Sequence, residues 1–497
     1  MILAIDQGTT NTKAVLVDSQ GQLRARASVR TTVTTPRSNW VEQDPEEIWN
    51  GVVKAVKKCM QMSPEVKVEG VAISNQRETV VVWDRKTGKV LAPAIIWQCR
   101  RSEAICERLR ADGLEGELLA RTGLGIDTLF SATKMCWLLE NLPGLREKAC
   151  AGQVCFGTVD SWLIWKLTGG TAHSCDASNA SRTQLLSLSH REWDEDLLNI
   201  FGVPRSALPE VRDSSCVFGR CATVAGLNNV PIVSALGDSH AAMAGHGRYS
   251  PGTVKATYGT GSSLMTLLPA LGAPRRDVAM TIAWSLDGVA QYALEGNIAM
   301  TGAGVAWVGE FLGLNNPVDD AIRLAGSVTG SDGVYFVPAM SGLGAPYWDG
   351  MARGTISGLT RTSRAAHLAR AAVEAIAYQI RDVFEAMSVA AGCALPELHA
   401  DGAATRNDEL MQFQADVLRK PVLRSDCEDL SALGAAWFGG LTLGWWESTA
   451  ALERLPQVTQ TFTPCREDAE VDLLCAGWRA AVGRARLRDV PVGAGHE

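Results

Sequence analysis

Short apolar runs alternate with amphipathic stretches along the first half of the chain. The segments MILAID, KAVLVD, VEGVAIS and TVVVWD read as strands. Residues 44–61, DPEEIWNGVVKAVKKCMQ, place Ile48, Val52, Val53 and Val56 on one side of a helix. A second helix is predicted over SATKMCWLLENLPGLREKA (131–149), and a third within FGTVDSWLIWKLTGG (156–170), ending at a glycine pair. NVPIVSAL (229–236) reads as another buried strand. A second series starts at GTVKATYGTGSSLMTLLP (252–269), which is strand, Gly/Thr loop, strand. It continues through QYALEG, the helix TGAGVAWVGEFLG, the strand GVYFVPA and a long helix from His367 to about Ala391. In ELHADGAATRNDELMQFQADVL (397–418) a strand stops at Gly402 and a helix follows. The last thirty or so residues are polar and weakly patterned.

The opening DQGTTNTKAVLV and the later TYGTGSSLMTLL share one pattern about 250 residues apart: two strands joined by Gly-Thr and further hydroxyls or glycine. That repetition predicts two domains with related cores, 1–247 and 248–497. A length of 497 residues fits two cores better than one.

Composition narrows the function classes. The net charge of -7 argues against binding nucleic acid through its phosphates, and no polybasic run addresses an anionic membrane. No signal peptide is visible, because Asp6 interrupts the opening apolar run, and no run reaches the length of a membrane span. Thirteen scattered cysteines without a CxxC pair read as reduced thiols of a cytoplasmic protein.

The polar hairpins are the first candidate chemistry. Successive outward N–H groups form an anion nest, hydroxyls add donors, and glycine allows close approach. One hairpin per domain could grip nucleotide phosphates from both sides, with Asp6 holding Mg²⁺ directly or through water. Two tight turns without a ligand are the plain alternative. In SALGDSHAAMAGHG (234–247), Asp238 reads either as a helix cap or as a carboxylate free to take a proton from a hydroxyl. Arg77 and Glu78 share a turn between two strands, and Trp97 ends a strand, where tryptophan is more often core than platform.

Together these pieces resemble the FGGY family of carbohydrate kinases over the whole length, and within it the glycerol kinases. The resemblance rests on DQGTTNTK at 6, SNQRET at 74, IIWQCRR at 95, FGTVDSWLIWKLTGG at 156 and DASNASRT at 176. It continues with GD at 237, TYGTG at 257, ALEG at 293, GLGAPYWDGMARGTISGLTR at 342 and DGAATRNDELMQFQADVL at 401. It implies an α/β fold of two actin-like (ribonuclease H-like) domains flanking a deep cleft. It also implies ATP and Mg²⁺ as cofactors, phosphorylation of a terminal hydroxyl of a small polyol or open-chain sugar, and a homodimer or homotetramer. Asp238 is then the general base and, with Asp6, a metal residue. Thr9, Thr10, Asn11, Lys13, Thr260, Gly261, Gly304, Gly402, Ala403 and Asn407 meet ATP. Arg77, Glu78, Trp97, Leu129, Ser239 and Ala299 join Asp238 at the acceptor.

The departures fall mostly on the acceptor. Glycerol kinases carry tyrosine where this chain has Leu129, preceded by proline rather than Thr128; they carry phenylalanine at Ala299 and glutamine at Ser239. Each change removes volume, which predicts an enlarged pocket for a four- or five-carbon polyol or ketose. A true glycerol kinase is the alternative, and an actin-like ATP switch without acceptor chemistry is an alternative of another class. The nucleoside motif has Ala403 for a second glycine, a mild change if its φ is negative. In some glycerol kinases an arginine near the position of Asn229 binds fructose 1,6-bisphosphate, so its absence predicts no such inhibition.

Overall fold

A computed structural model describes residues 1–488. The chain forms two compact units. The first comprises Met1–Ser250, Ala270–Ala293 and Asp429–Gln457, and the second Pro251–Pro269, Leu294–Glu428 and the chain from Val458.

The first unit is built on a six-stranded sheet in the order Gly219–Arg220, Pro231–Gly237, Gly70–Asn75, Ile2–Gln7, Asn11–Val17, Leu23–Arg30. Ile2–Gln7 pairs antiparallel with Asn11–Val17 and parallel with Gly70–Asn75. Both Ile2–Gln7 and Gly70–Asn75 are buried at every position, which explains why they read as continuous apolar runs rather than alternating ones. The helix Pro45–Gln61 starts where Asp44 accepts the amide of Glu46, with Pro45 in its first turn. Ile48, Trp49, Val52 and Val56 enter the core with Leu3, Ile5 and Leu16. Val53 is only partly buried, so the apolar stripe is narrower than the spacing predicted.

Two further helices of this unit, Asp238–Gly245 and Leu430–Thr442, meet almost backbone to backbone. A Cβ at Gly434 would lie 1.9 Å from the Ala241 carbonyl oxygen, and one at Gly245 would lie 2.3 Å from that of Leu430. Glycine is therefore a packing requirement at both positions. The helix expected over 131–149 is two helices, Ser131–Asn141 and Leu145–Cys150. Pro143 and Gly144, the latter at φ 71°, break it.

The second unit repeats the pairing scheme. Val254–Tyr258 pairs antiparallel with Ser262–Leu267 and parallel with Leu398–Asp401, which pairs parallel with Val422–Ser425. In the first unit Gly70–Asn75 likewise pairs parallel with Pro231–Gly237. Thr459–Phe462 closes the second sheet antiparallel to Val422–Ser425. Each unit thus centres on a strand with a hairpin partner on one side and a crossover partner on the other. The long helix runs Ala365–Ala390, close to its predicted bounds.

The weakly patterned end of the chain contains a helix that the sequence reading lacked. Asp468–Ala485 buries Val471, Cys475, Trp478, Val482 and Ala485, a helical stripe interrupted by charged residues. The remainder of that stretch, 489–497, lies outside the described residues.

Candidate active site

In the first unit the site grows from strand ends. Asp6 is the penultimate residue of the central strand and stands opposite Lys13 in the hairpin register. Ser74 Oγ donates to Asp6 Oδ1 at 3.0 Å. Lys13 Nζ lies 3.7 Å from Asp6 and 2.9 Å from Asp429, which Arg26 also engages at 3.0 Å. Burial pushes the Asp6 carboxyl above the usual carboxylate range; Lys13 pulls it back, while Asp238 and Asp429 add to the rise. Burial acts to lower Lys13, but Asp6 and Asp429 outweigh it and hold the lysine above its ordinary value.

The hairpin tip carries Thr9, Thr10 and Asn11, with the Gly8 amide donating to the Asn11 carbonyl at 2.9 Å. Thr10 and Asn11 are exposed, and Asn11 Nδ2 donates to Thr10 Oγ1. Trp97, 39% exposed, donates its indole N–H to Thr9 Oγ1 at 2.9 Å. Gln43 Nε2 donates to the Thr9 carbonyl at 2.7 Å and Gln76 Nε2 to Gln43 at 2.8 Å, so a buried amide chain braces the tip. Trp97 therefore braces the hairpin tip while part of its ring stays exposed, an arrangement its strand-end position does not reveal.

Asp238 opens its helix directly after Gly237. Arg77 Nε donates to Asp238 Oδ1 at 3.1 Å, and the Ser239 amide reaches the same oxygen at 2.7 Å. The carboxylate is fixed in place, yet 39% of the side chain stays accessible. A Cβ at Gly237 would come within 2.5 Å of Arg77 Cδ, so this glycine makes room for the arginine. No side-chain capping bond from Gly237 forms at this helix start, and Asp238 accepts its own neighbour's amide rather than serving as the cap.

Glu78 adopts φ 59°, a left-handed conformation uncommon for a non-glycine residue. Its carboxylate accepts from Arg182 Nε at 2.7 Å, with both side chains buried. Ser131 Oγ donates to the Glu78 carbonyl at 3.1 Å. That bond ties Glu78 to the segment carrying Leu129, which packs partly buried on Leu124, Phe130 and Ala279. Lys134, wholly buried, donates its ammonium to the Leu129 and Phe130 carbonyls, the latter at 3.2 Å. Burial lowers Lys134 to about 8. Neither Arg182, within DASNASRT, nor Lys134, within SATKMCWLL, is marked as a site residue by its local sequence. A charged residue inside an apolar or small-residue run was the available signal.

In the second unit Thr260 and Gly261 form the turn between Val254–Tyr258 and Ser262–Leu267. The amides of Thr301 and Ala303 both donate to the Thr260 carbonyl at 3.0 Å, which seats the turn on the start of helix Gly302–Phe311. A Cβ at Gly261 would meet the Ile298 carbonyl oxygen at 2.5 Å. Ala299, exposed, stands beside this turn, its carbonyl oxygen 2.9 Å from the same point. Gly304 is buried against Pro338 and Phe336. Gly402 has φ 99°, and a Cβ there would fall 2.4 Å from the Tyr258 carbonyl oxygen, so this turn sits directly on the strand leading to Thr260. Ala403 opens a short 3-10 helix and is not among the residues with positive φ, so its methyl costs nothing there. Gly402 and Ala403 are exposed, and Asn407 caps the helix Asp408–Leu418 by accepting from the Leu410 amide at 3.1 Å.

Comparison with known proteins agrees along the whole chain. The pattern of the FGGY family of carbohydrate kinases, N-terminal domain, matches residues 1–245, and the pattern of its C-terminal domain matches residues 254–443. The chain is 47% identical to the apulose kinase of Pectobacterium atrosepticum over 492 residues, covering 98% of this chain and 99% of that one. It is 44% identical to a glycerol kinase of Alkaliphilus oremlandii, covering 97% of both. Among solved structures, Plasmodium falciparum glycerol kinase with ADP superposes at a TM-score of 0.91, with 31% identity and 98% of each chain covered. None of the described helices is long and apolar enough to cross a membrane. With two repeated strand-hairpin cores, a fixed Arg77–Asp238 pair and matches spanning both halves, the chain belongs to the FGGY family of carbohydrate kinases.

Proposed function

We propose that the protein phosphorylates a terminal hydroxyl of an uncharged four- or five-carbon polyol or ketose, with Asp238 as general base. The observation that carries this reading is the Arg77–Asp238 pair. It presents an accessible carboxylate held in one orientation, which is what proton removal from a hydroxyl requires. Arg77 keeps that carboxylate in place, Glu78 would accept from acceptor hydroxyls, and Trp97 would pack on the carbon chain. Thr260, Gly261, Gly402, Ala403 and Asn407 would face the nucleotide, and Thr9, Thr10, Asn11 and Lys13 its phosphates. The unit that holds Asp238, with Ala270–Ala293 and Asp429–Gln457 in it, would then serve as the acceptor half, and the unit that holds Thr260 and Gly402 as the nucleotide half.

The residues present suit Mg²⁺. Asp6 is a buried carboxylate whose ionised form is disfavoured by desolvation, and a divalent cation is the partner that would offset that cost. Asp6, with Asp238, would hold it. When bound, the metal neutralises charge on the transferring phosphoryl oxygens. Lys13, kept charged by Asp6 and Asp429, contributes a further cation near the same carboxylate.

The acceptor class rests on Leu129, Ser239 and Ala299, which are smaller than the tyrosine, glutamine and phenylalanine of glycerol kinases. The 47% identity to an apulose kinase points the same way. A coupled ADP-release assay across glycerol, tetritols, pentitols, tetruloses and ketopentoses tests it. The best four- or five-carbon acceptor should exceed glycerol in kcat/KM, and Leu129→Tyr should narrow the difference. A preference for glycerol of about tenfold, worth some 1.4 kcal/mol, overturns the enlarged-pocket reading and leaves a glycerol kinase. A cytoplasmic homodimer or homotetramer accompanies this reading, and sedimentation reads the assembly directly.

A further inference from the structure

The Glu78 carboxylate is held from behind by a residue outside the expected acceptor set. We propose that Arg182 is a positioning residue for the acceptor, aimed at Glu78 by a buried frame that Asp176 anchors. This rests on the reading of Glu78 as an acceptor-binding group.

The frame is a single turn of helix, Ala177–Ala180, buried at all four positions. Asp176 accepts four hydrogen bonds. They come from the amides of Ser178 and Asn179 at 2.9 Å, from Asn179 Nδ2 at 2.7 Å and from Ser214 Oγ at 2.8 Å. From that turn three contacts reach the site. Asn179 and Asn75 exchange paired amide bonds at 2.9 and 3.1 Å, fixing the strand that leads into Arg77 and Glu78. Ser178 Oγ accepts from the Gly237 amide at 2.9 Å, fixing the residue before Asp238. Arg182 follows on the same segment, its amide donating to the Asn179 carbonyl at 3.1 Å, and its guanidinium meets Glu78 at 2.7 Å.

Arg182 also touches the other side of the acceptor segment. Its guanidinium lies 5.1 Å from the centre of the Phe130 ring, and the carbonyl of its neighbour Thr183 accepts from the Ala132 amide at 2.8 Å. One buried cation thus joins Glu78 to the segment bearing Leu129. Burying an ion pair yields little net stability, because desolvation offsets the attraction. Stability alone is a weak reason for a fully buried arginine here. Orientation is a better one: Glu78 sits in a left-handed backbone conformation, and its carboxylate needs a fixed partner to point consistently at an acceptor.

The test compares Arg182→Lys, Glu78→Gln and the double variant Glu78→Gln/Arg182→Gln by steady-state kinetics. Each is run with the best neutral acceptor from the panel and, separately, with ATP varied. Arg182→Lys keeps the charge and loses the planar fork. It should raise acceptor KM by about tenfold or more while ATP KM stays within about twofold. The double variant should match Glu78→Gln alone within about twofold, because Arg182 acts through Glu78. An acceptor KM for Arg182→Lys within about threefold of wild type, or equal rises in both KM values, overturns the proposal. So does a double variant losing about tenfold more than Glu78→Gln. If Glu78→Gln itself leaves acceptor KM unchanged, the acceptor reading fails and takes this proposal with it. If Arg182→Lys does not fold, the double variant decides the matter, since it leaves no unpaired charge inside.

Discussion

Replacing Asp238 by asparagine separates proton removal from everything else that residue does. The amide oxygen of asparagine can occupy the place of Oδ1, still accepting from Arg77 Nε at 3.1 Å and from the Ser239 amide at 2.7 Å. The helix start is untouched, because Gly237 provides no side-chain cap and Ser431 Oγ bonds the Asp238 backbone carbonyl. What disappears is basicity. A positioned general base contributes about 10²- to 10⁴-fold, so kcat should fall by at least about 10²-fold, or some 2.7 kcal/mol of barrier. A second consequence follows from Asp6, whose carboxyl Asp238 pushes upward. Removing that negative charge favours ionised Asp6, which offsets the loss of the Asp238 charge toward Mg²⁺, and the amide oxygen can still reach the metal; the ATP KM should stay within about threefold. The measurement is coupled ADP release at saturating acceptor, with acceptor-free ATP hydrolysis as the control. A variant retaining more than about a tenth of wild-type kcat on its best acceptor would refute the assignment of Asp238 as the base.

Three further outcomes test other parts of the structure. Gly402→Ala forces a side chain into φ 99° and against the Tyr258 carbonyl at 2.4 Å; at about 1–3 kcal/mol of backbone strain it should lower Tm by several degrees and raise ATP KM, whereas Ala403→Gly should leave ATP KM unchanged. Equal behaviour of the two variants contradicts the nucleoside-turn reading. Burial raises Asp382 to about 6 although Trp478 and Tyr347 donate to it, so the folded protein holds this proton more tightly than the unfolded chain does. That contribution is complete below about pH 4 and is lost as pH rises through about 6, so Asp382→Asn should gain about 2–3 kcal/mol on wild type between pH 4 and 7 in urea melts; parallel pH dependences would exclude it. Fructose 1,6-bisphosphate should not inhibit through the loop at Asn229, an exposed residue at φ 65° where asparagine is tolerated far better than arginine; inhibition abolished by mutating this loop would contradict that.

The strands that lead to the site in the first unit are legible because they are buried at every position. Ile2–Gln7 and Gly70–Asn75 carry apolar or small residues without interruption until polar residues begin, at Asp6 in one and at Ser74 in the other. The second hairpin was legible by its likeness to the first. Three things were hidden for physical reasons. Helix Asp468–Ala485 is hidden because the positions between its buried residues mix exposed Leu473, alanine and glycine with Asp472, Arg479 and Arg484, so no clean apolar stripe shows. The break at Gly144 was overlooked because apolar spacing continues across it, although a Pro-Gly pair is a strong stop signal. The partners of the site residues were hidden most deeply. Arg182 lies 104 residues from Glu78, and Asp429 lies more than 400 residues from Lys13; no local pattern connects charges that the chain brings together only by folding.

Pairing explains why the two halves of a kinase can be recognised from their hairpins alone. In each unit the strand before the hairpin is flanked on its other side by a parallel strand, so its C-terminal end and that of its neighbour emerge at the same edge. In the first unit that edge gathers Asp6, then Asn75 leading to Arg77 and Glu78, then Gly237 leading to Asp238. In the second it gathers Tyr258 leading to Thr260, and Asp401 leading to Gly402 and Ala403. Residues as distant as 6, 77 and 238 become neighbours because three parallel strands end in register, Asp6 with Ser74 and Ser74 with Leu236. A one-residue slip of Ile2–Gln7 against Gly70–Asn75 would turn Asp6 to the opposite face of the sheet and remove it from Asp238. The burial of both faces, which makes such a slip expensive, is therefore also what holds the proposed metal carboxylate and the proposed base at a fixed separation.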